Sequence, residues 1–122
     1  MNVREFSERV GVSPHTIRYY EKAGLLGTVR RLPNGYRDFS EKDIDWIAFI
    51  QRLKDTGMPL AEIRRYAEMR VQGDSTLLER QQLLEAHAKK LKENISRQQH
   101  YYHKLIEKIA FYQSVIENKT GA

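Results

Sequence analysis

The chain of 122 residues contains no cysteine, which excludes disulfides, thiolate metal sites and thiol-based redox or aldehyde sensing by this chain. Proline is scarce, three in all, and residues 75–117 hold neither proline nor glycine. No apolar stretch approaches the ~20 residues of a membrane span, and the N-terminus lacks the apolar core of a signal peptide. A cytoplasmic protein is therefore expected. There is no glycine-rich phosphate loop and no histidine and carboxylate paired on a credible cleft, so no catalytic residues, no cofactor and no enzyme are expected. Ser7, Ser13 and Ser40 read as helix surface and caps. Negative charge is also short. Sixteen acids face 21 lysines and arginines, leaving a net charge of +5, and the pI near 9.5 suits an anionic partner. The length leaves room for a modest core and one small binding unit, and a separate ligand-binding domain is not expected.

The densest local signal is Val12-Ser13-Pro14-His15-Thr16-Ile17-Arg18-Tyr19-Tyr20-Glu21. Ser13 suits a helix N-cap, Pro14 the first helical position and Gly24 a stop, which predicts a helix of roughly two and a half turns. Its periodicity puts His15, Arg18, Tyr19 and Lys22 on one face, donors and charges suited to phosphates and base edges. Ile17 and Tyr20 fall on the other. Upstream, Val3, Phe6 and Val10 pattern a second short amphipathic helix that Gly11 ends. Two helices joined this tightly form a helix-turn-helix pattern.

Residues 29–39 follow as two short strands around Pro33-Asn34-Gly35, because Asn-Gly tolerates the positive φ angles of a tight hairpin turn. A hairpin placed directly after the helix is a wing. It adds Arg30, Arg31 and Arg37 to the basic residues of the helix, against the single acid Glu21 in the span 14–37. That concentration favours a phosphate-contacting edge.

Three motifs now stand in order: Thr16-Ile17-Arg18-Tyr19-Tyr20-Glu21-Lys22-Ala23-Gly24-Leu25-Leu26, then Asn34-Gly35-Tyr36-Arg37, then Lys54-Asp55-Thr56-Gly57-Met58-Pro59-Leu60. Together they resemble the MerR family of bacterial transcription regulators, in detail over residues 1 to about 70 and in general character beyond. The resemblance implies a mainly α fold, with a winged helix-turn-helix head followed by a long dimerisation helix in an antiparallel coiled coil. It also implies activation by distorting a promoter whose recognition elements are spaced too far apart. The family pattern makes the turn at residues 56–59 a second wing. The DNA-binding residues implied are His15, Thr16, Arg18, Tyr19, Lys22, Arg30, Arg31, Tyr36, Arg37 and Lys54. Arg18 and His15 belong at the major groove, Tyr19 and Arg37 on backbone phosphates, and Lys54 on phosphates from the second wing. Arg64 and Tyr66 are weaker candidates that equally fit a solvated helix face.

Between the wings, Ser40 opens a capping pattern with Glu41, Asp43 and Asp45, and Ile44, Ile47, Ile50 and Leu53 face inward. Trp46 and Phe49 flank that stripe as packing residues. Pro59 opens a further helix through Leu60, Ile63 and Ala67. Gly73-Asp74 then marks a boundary, giving a DNA-binding domain over 1–73, a coiled-coil helix over 74–117 and a frayed tail over 118–122. The helix carries a heptad seam of Leu84, Ala88, Leu91, Ile95, Gln98, Tyr102, Leu105, Ile109, Tyr112 and Ile116, which a lone helix could not hide. Folding back over its own head is the alternative, but the head is too small to cover the stripe. A homodimer is expected, with Gln98 fixing register or lying close to the dimer axis.

His100 and His103, three apart, could supply half of a zinc site across a dimer, with His87 more than three turns away. The cysteine ligands that the family's metal sensors carry near the end of this helix are absent here, so no metal site is assigned. Tyr101, Tyr102, Phe111 and Tyr112 fit either an apolar effector pocket or interface packing. The sequence thus reads as a regulator that binds a pseudo-palindromic promoter site as a homodimer. It would act with RNA polymerase, in response to a small-molecule or stress signal of unknown identity. An architectural protein that bends DNA without an effector is the alternative.

Overall fold

The computed structural model describes residues 1–27 and 29–120, and its regular structure is helical. The elements are α1 (Val3–Val10), α2 (Pro14–Lys22), α3 (Glu41–Asp55), α4 (Leu60–Gln72), a 3₁₀ turn (Asp74–Thr76) and α5 (Leu77–Lys119). Contacts divide the chain into two units, Met1–Glu85 and a second from Ala86 on.

Local chemistry sets the helix-turn-helix. Asn2 caps α1 by accepting from the Glu5 amide, and Gly11 ends it at φ 72°, a left-handed conformation that glycine adopts without a Cβ clash. Ser7 is a correction to the expected helix-surface serine. It is buried, and its hydroxyl donates to the Val12 carbonyl, so it closes the turn from inside. Ser13 then caps α2, accepting from the Thr16 amide at 3.1 Å, with Pro14 in the first turn.

The expected pair of strands is also corrected. Among the described residues, the segment after α2 holds a single antiparallel bridge, Arg31 to Arg37, and no strand. The Leu32 carbonyl accepts from the Gly35 amide at 2.9 Å, and the Leu32 amide donates to the Tyr36 carbonyl at 2.7 Å. Pro33 and Asn34 therefore sit at the centre of the turn. Only Gly35 takes a positive φ, 87°, as in a three-residue hairpin loop rather than a two-residue one. So few residues flank this loop that the ladder ends after one bridge.

The head core is one cluster. Phe6, Ile17, Leu25, Ile47, Ile50 and Ile63 are its largest fully buried side chains, and Phe6 stacks on Phe39 at 4.2 Å between ring centroids. Ile44 is only half-buried and Leu60 is exposed, so the inward stripes of α3 and α4 are narrower than their sequence periodicity suggests. Trp46 is buried and its indole N–H donates to the Leu25 carbonyl at 2.7 Å, pinning α3 to the loop that follows α2. Beside it Tyr66, Phe49 and Arg70 complete an aromatic layer, the guanidinium lying 4.1 Å from the Trp46 centroid.

The link from α4 to α5 is a bonded corner. The buried Thr76 hydroxyl reaches the Met69 carbonyl at 2.6 Å, and Arg80 donates to the Gly73 carbonyl at 3.0 Å. α5 begins at Leu77 and continues through Asn118 and Lys119, so those two residues, expected to be frayed, are helical. Thr120 forms a turn whose amide donates to the Ile116 carbonyl at 3.0 Å, and the rest of that expectation, at Gly121 and Ala122, lies outside the described residues. At 43 residues, the helix spans ~65 Å at 1.5 Å per residue. Leu83 and Leu84 pack against the head core, so Leu84, read as the first seam residue, also serves its own head. From Ala86 on, no described residue is buried.

Candidate nucleic-acid interface

α2 presents the face its periodicity promised. Ile17 and Tyr20 are 0% and 3% exposed, whereas Tyr19 is 49% exposed and His15, Arg18 and Lys22 are all exposed. Thr16 is half-buried, its hydroxyl 3.0 Å from that of Ser13, so it belongs to the cap as much as to the surface. The core side chains behind α2 hold this face rigidly, which is what base and phosphate recognition needs.

The cations of this region fall into two groups. Arg31 lies 3.2 Å from the Glu21 carboxylate, and Arg37 donates from Nε to the other oxygen of the same carboxylate. Glu21 is 19% exposed, and it clamps the wing to α2 through both arginines. Arg31 also donates to the Gly35 carbonyl at 3.1 Å, holding the wing tip. Both were expected on phosphates, and the sequence offered no signal that a single acid would take them up. Arg30 is 82% exposed, with Asp38 a distant 3.8 Å away. Tyr36 stands at the wing tip, 71% exposed.

Arg18, Lys22 and Lys54 form the second group, with no ion pair among the described residues. Lys54 lies in the last turn of α3, just ahead of the turn at 56–59, its ammonium 5.9 Å from the Tyr20 ring centroid. Lys54 therefore stands beside α2, and with Tyr19 it rims one cavity. The two weaker candidates go elsewhere. Arg64 donates to the Ala23 carbonyl at 3.0 Å, completing the C-terminal end of α2, and Tyr66 packs against Trp46 and Phe49.

In the second unit the seam residues are open except Leu91, which is half-buried. Ile95, Tyr102, Leu105, Ile109, Tyr112 and Ile116 are each between 48% and 63% exposed, joined by Tyr101, Ile106 and Phe111. That is an apolar stripe without a covering surface in the single chain. Lys108 sits over the rings of Phe111 and Tyr112 at 5.2 and 5.3 Å. Among the described residues, no group of three or more histidine and carboxylate side chains is placed to hold a metal ion, and no helix is long and apolar enough to cross a membrane.

Comparison with known proteins extends this geometry. The family model for MerR HTH regulatory proteins matches residues 1–70, and a second, for MerR DNA binding, matches 44–108. An HTH-type transcriptional regulator of Haemophilus influenzae is 43% identical over 107 residues, covering 88% of this chain and 79% of the relative. Among solved structures, HiNmlR, a MerR family regulator lacking the sensor domain and bound to promoter DNA, superposes with a TM-score of 0.86. It is 41% identical and covers 93% of this chain and 90% of its own. A MerR-type chain from Listeria monocytogenes gives a TM-score of 0.89 at 34% identity, covering 93% of this chain and 86% of its own. These relatives are transcription regulators rather than enzymes, and nothing among them favours the architectural reading. With a family model spanning more than half its length and a relative this similar along most of it, the chain belongs to the MerR family of helix-turn-helix transcription regulators.

Proposed function

We propose that this chain binds a pseudo-palindromic promoter site as a homodimer and regulates transcription in the cytoplasm by distorting that DNA under RNA polymerase, in response to a small-molecule or stress signal. The observation that carries this reading is the exposed face of α2. There His15, Arg18 and Lys22 stand free beside a wing that Glu21 holds in place. Arg18 reads a base edge in the major groove, with His15 beside it. Lys22, Lys54, Arg30 and Tyr19 contact phosphates, and Tyr36 reaches the backbone from the wing tip. Arg31 and Arg37 orient the wing and add field rather than direct contacts. Thr16 contacts DNA only through the hydroxyl it shares with the cap.

The open stripe of α5 supports the dimer, because a solvated apolar face of this length is an association surface. Leu91, Ile95, Gln98, Tyr102, Leu105, Ile109 and Tyr112 form its seam in an antiparallel pair, and Leu84 contributes at the edge of its own head. Antiparallel pairing puts the two heads at opposite ends of the coil, so its length sets the separation of the half-sites. A change in the coil then alters DNA shape at a cost of about a few kcal/mol, within the range of ligand coupling.

The test is selection of genomic DNA by the purified protein at stated salt, followed by sizing of the protected site. A two-fold symmetric site within a promoter whose elements are widely spaced is the expected result. Diffuse binding without a symmetric motif would overturn the reading.

A further inference from the structure

We propose that the head itself contains a small-molecule site, and that its ligand is a small apolar monocarboxylate. The cavity has a volume of about 240 Å³ and lies between α2, α3, the turn at 56–59 and the start of α4. Its walls are Tyr20, Leu25, Ile50, Met58 and Ile63, all at most 4% exposed. Its rim is Tyr19, Leu60 and Lys54.

Two features define the occupant. The walls are hydrocarbon and aromatic, so an apolar body gains by leaving water while a second charge would be buried without a partner. The rim carries one cation, and Lys54 makes no ion pair among the described residues. Its contact with the Tyr20 ring, at 5.9 Å, is at the outer reach of a cation–π interaction. A carboxylate at the mouth replaces that contact with a charge-assisted hydrogen bond. The volume suits one substituted ring or a short branched chain, several times the ~30 Å³ share of a water molecule. The exposed Leu60, which its helix pattern would have buried, gives such a ligand an apolar lip.

This site couples to DNA if Lys54 contacts phosphate, a step that rests on the function proposed above. A carboxylate held by Lys54 competes with a phosphate for the same ammonium. Ligand and DNA then weaken each other by the same factor.

Methionine supplies the reporter. The chain has three methionines, of which Met58 lines the cavity and Met1 and Met69 do not. The free protein carrying ¹³C-methyl methionine is titrated with benzoate, and with benzyl alcohol as the uncharged counterpart, to about 20 mM, past the millimolar Kd expected of so small a ligand. The expected result is a saturable shift of the Met58 methyl alone, tighter for benzoate. Lys54→Gln should weaken benzoate about 2- to 5-fold, the worth of one exposed ion pair, and leave benzyl alcohol unchanged. Leu60→Trp, at an exposed rim position, should abolish the Met58 shift for both probes, while unmoved Met1 and Met69 signals report an intact fold. No selective Met58 shift, or equal affinity for the two probes, overturns the proposal. The titration needs no DNA, so it stands apart from promoter binding. A Met58 shift with no effect of benzoate on the DNA complex would overturn the coupling alone.

Discussion

Glu21 and Arg37, sixteen residues apart in sequence, meet as carboxylate and guanidinium, with Arg31 on the second oxygen. A negative side chain this close to the face of α2 proposed to read DNA is unfavourable by charge alone. Its placement gives it a different effect: it fixes the wing relative to α2. Glu21→Gln should therefore weaken operator binding about 5- to 10-fold, as loss of a partly buried charge pair frees the wing. Simple charge counting expects tighter binding. Fluorescence anisotropy across a salt series decides between them, since a gain in affinity with a steeper salt dependence would show that the arginines are worth more on phosphate than on Glu21.

Arg18 and Lys54 should behave differently from each other. Arg18→Ala is expected to lose specific binding by roughly 1–3 kcal/mol of base discrimination while leaving the dimer intact. Lys54→Ala should weaken operator and random DNA about equally and reduce the salt slope by about one. Competition binding against non-specific DNA separates the two, and retention of full specificity by Arg18→Ala would remove the recognition role of α2.

Much of the head was legible because its signals are local. Ser13, Pro14 and Gly11 act within a turn of their own helices, and the α2 face follows from periodicity alone. The Glu21 clamp was not legible, because it joins a helix to a hairpin through side chains whose sequence neighbours give no hint of the pairing. Every arginine nearby then looked equally available for phosphate. Ser7 was misread for the same reason, since its burial depends on how the chain returns at Val12. The strands around Asn34-Gly35 were overdrawn, because the turn residues specify a reversal of the chain and say nothing of how far a ladder continues. Leu84 fitted the heptad pattern, yet its contact with the head core is set by the corner at Thr76.

The core should respond as a single cluster. Phe6→Ala removes a fully buried ring stacked on Phe39 and is expected to cost about 3–5 kcal/mol. The sole tryptophan, Trp46, is buried in the head and reports urea unfolding at a fixed protein concentration, so that the mass action of the proposed dimer cancels. A change below about 1 kcal/mol would mean that the head relaxes around the cavity.

Arg9 and Glu41 tie α1 to the first turn of α3, with Nη2 3.0 Å from Oε2. The hydrogen bond and charge of Arg9 hold the Glu41 carboxyl below its ordinary range, and Glu41 correspondingly raises Arg9. A carboxyl lowered in the folded state contributes stability above its unfolded pKa and loses it as pH falls through the folded one. Glu41→Gln should therefore lower Tm near neutral pH, and the difference from the parent should close below the usual glutamate range near ~4.3. Because the pair is exposed the shift is small, and it should vanish in an Arg9→Gln background. A difference that persists at acid pH would point to helix capping rather than the ion pair.

Gln98 lies at the midpoint of α5, Leu77–Lys119, and this gives the antiparallel pairing a sharp test. In a two-fold antiparallel coil, a seam residue on the axis meets its own copy, whereas residues displaced along the helix meet others. The absence of native cysteine makes the experiment clean. Gln98→Cys should oxidise to a disulfide-linked dimer, twice the 14.4 kDa chain mass, because the two Cα atoms can come within the ~4.4–6.8 Å that a disulfide spans. Ile109→Cys, three turns away, should remain unlinked under the same oxidant. A parallel pair brings both positions together with their own copies, so crosslinking at both sites would overturn the antiparallel arrangement and with it the placement of the heads at opposite ends of the coil.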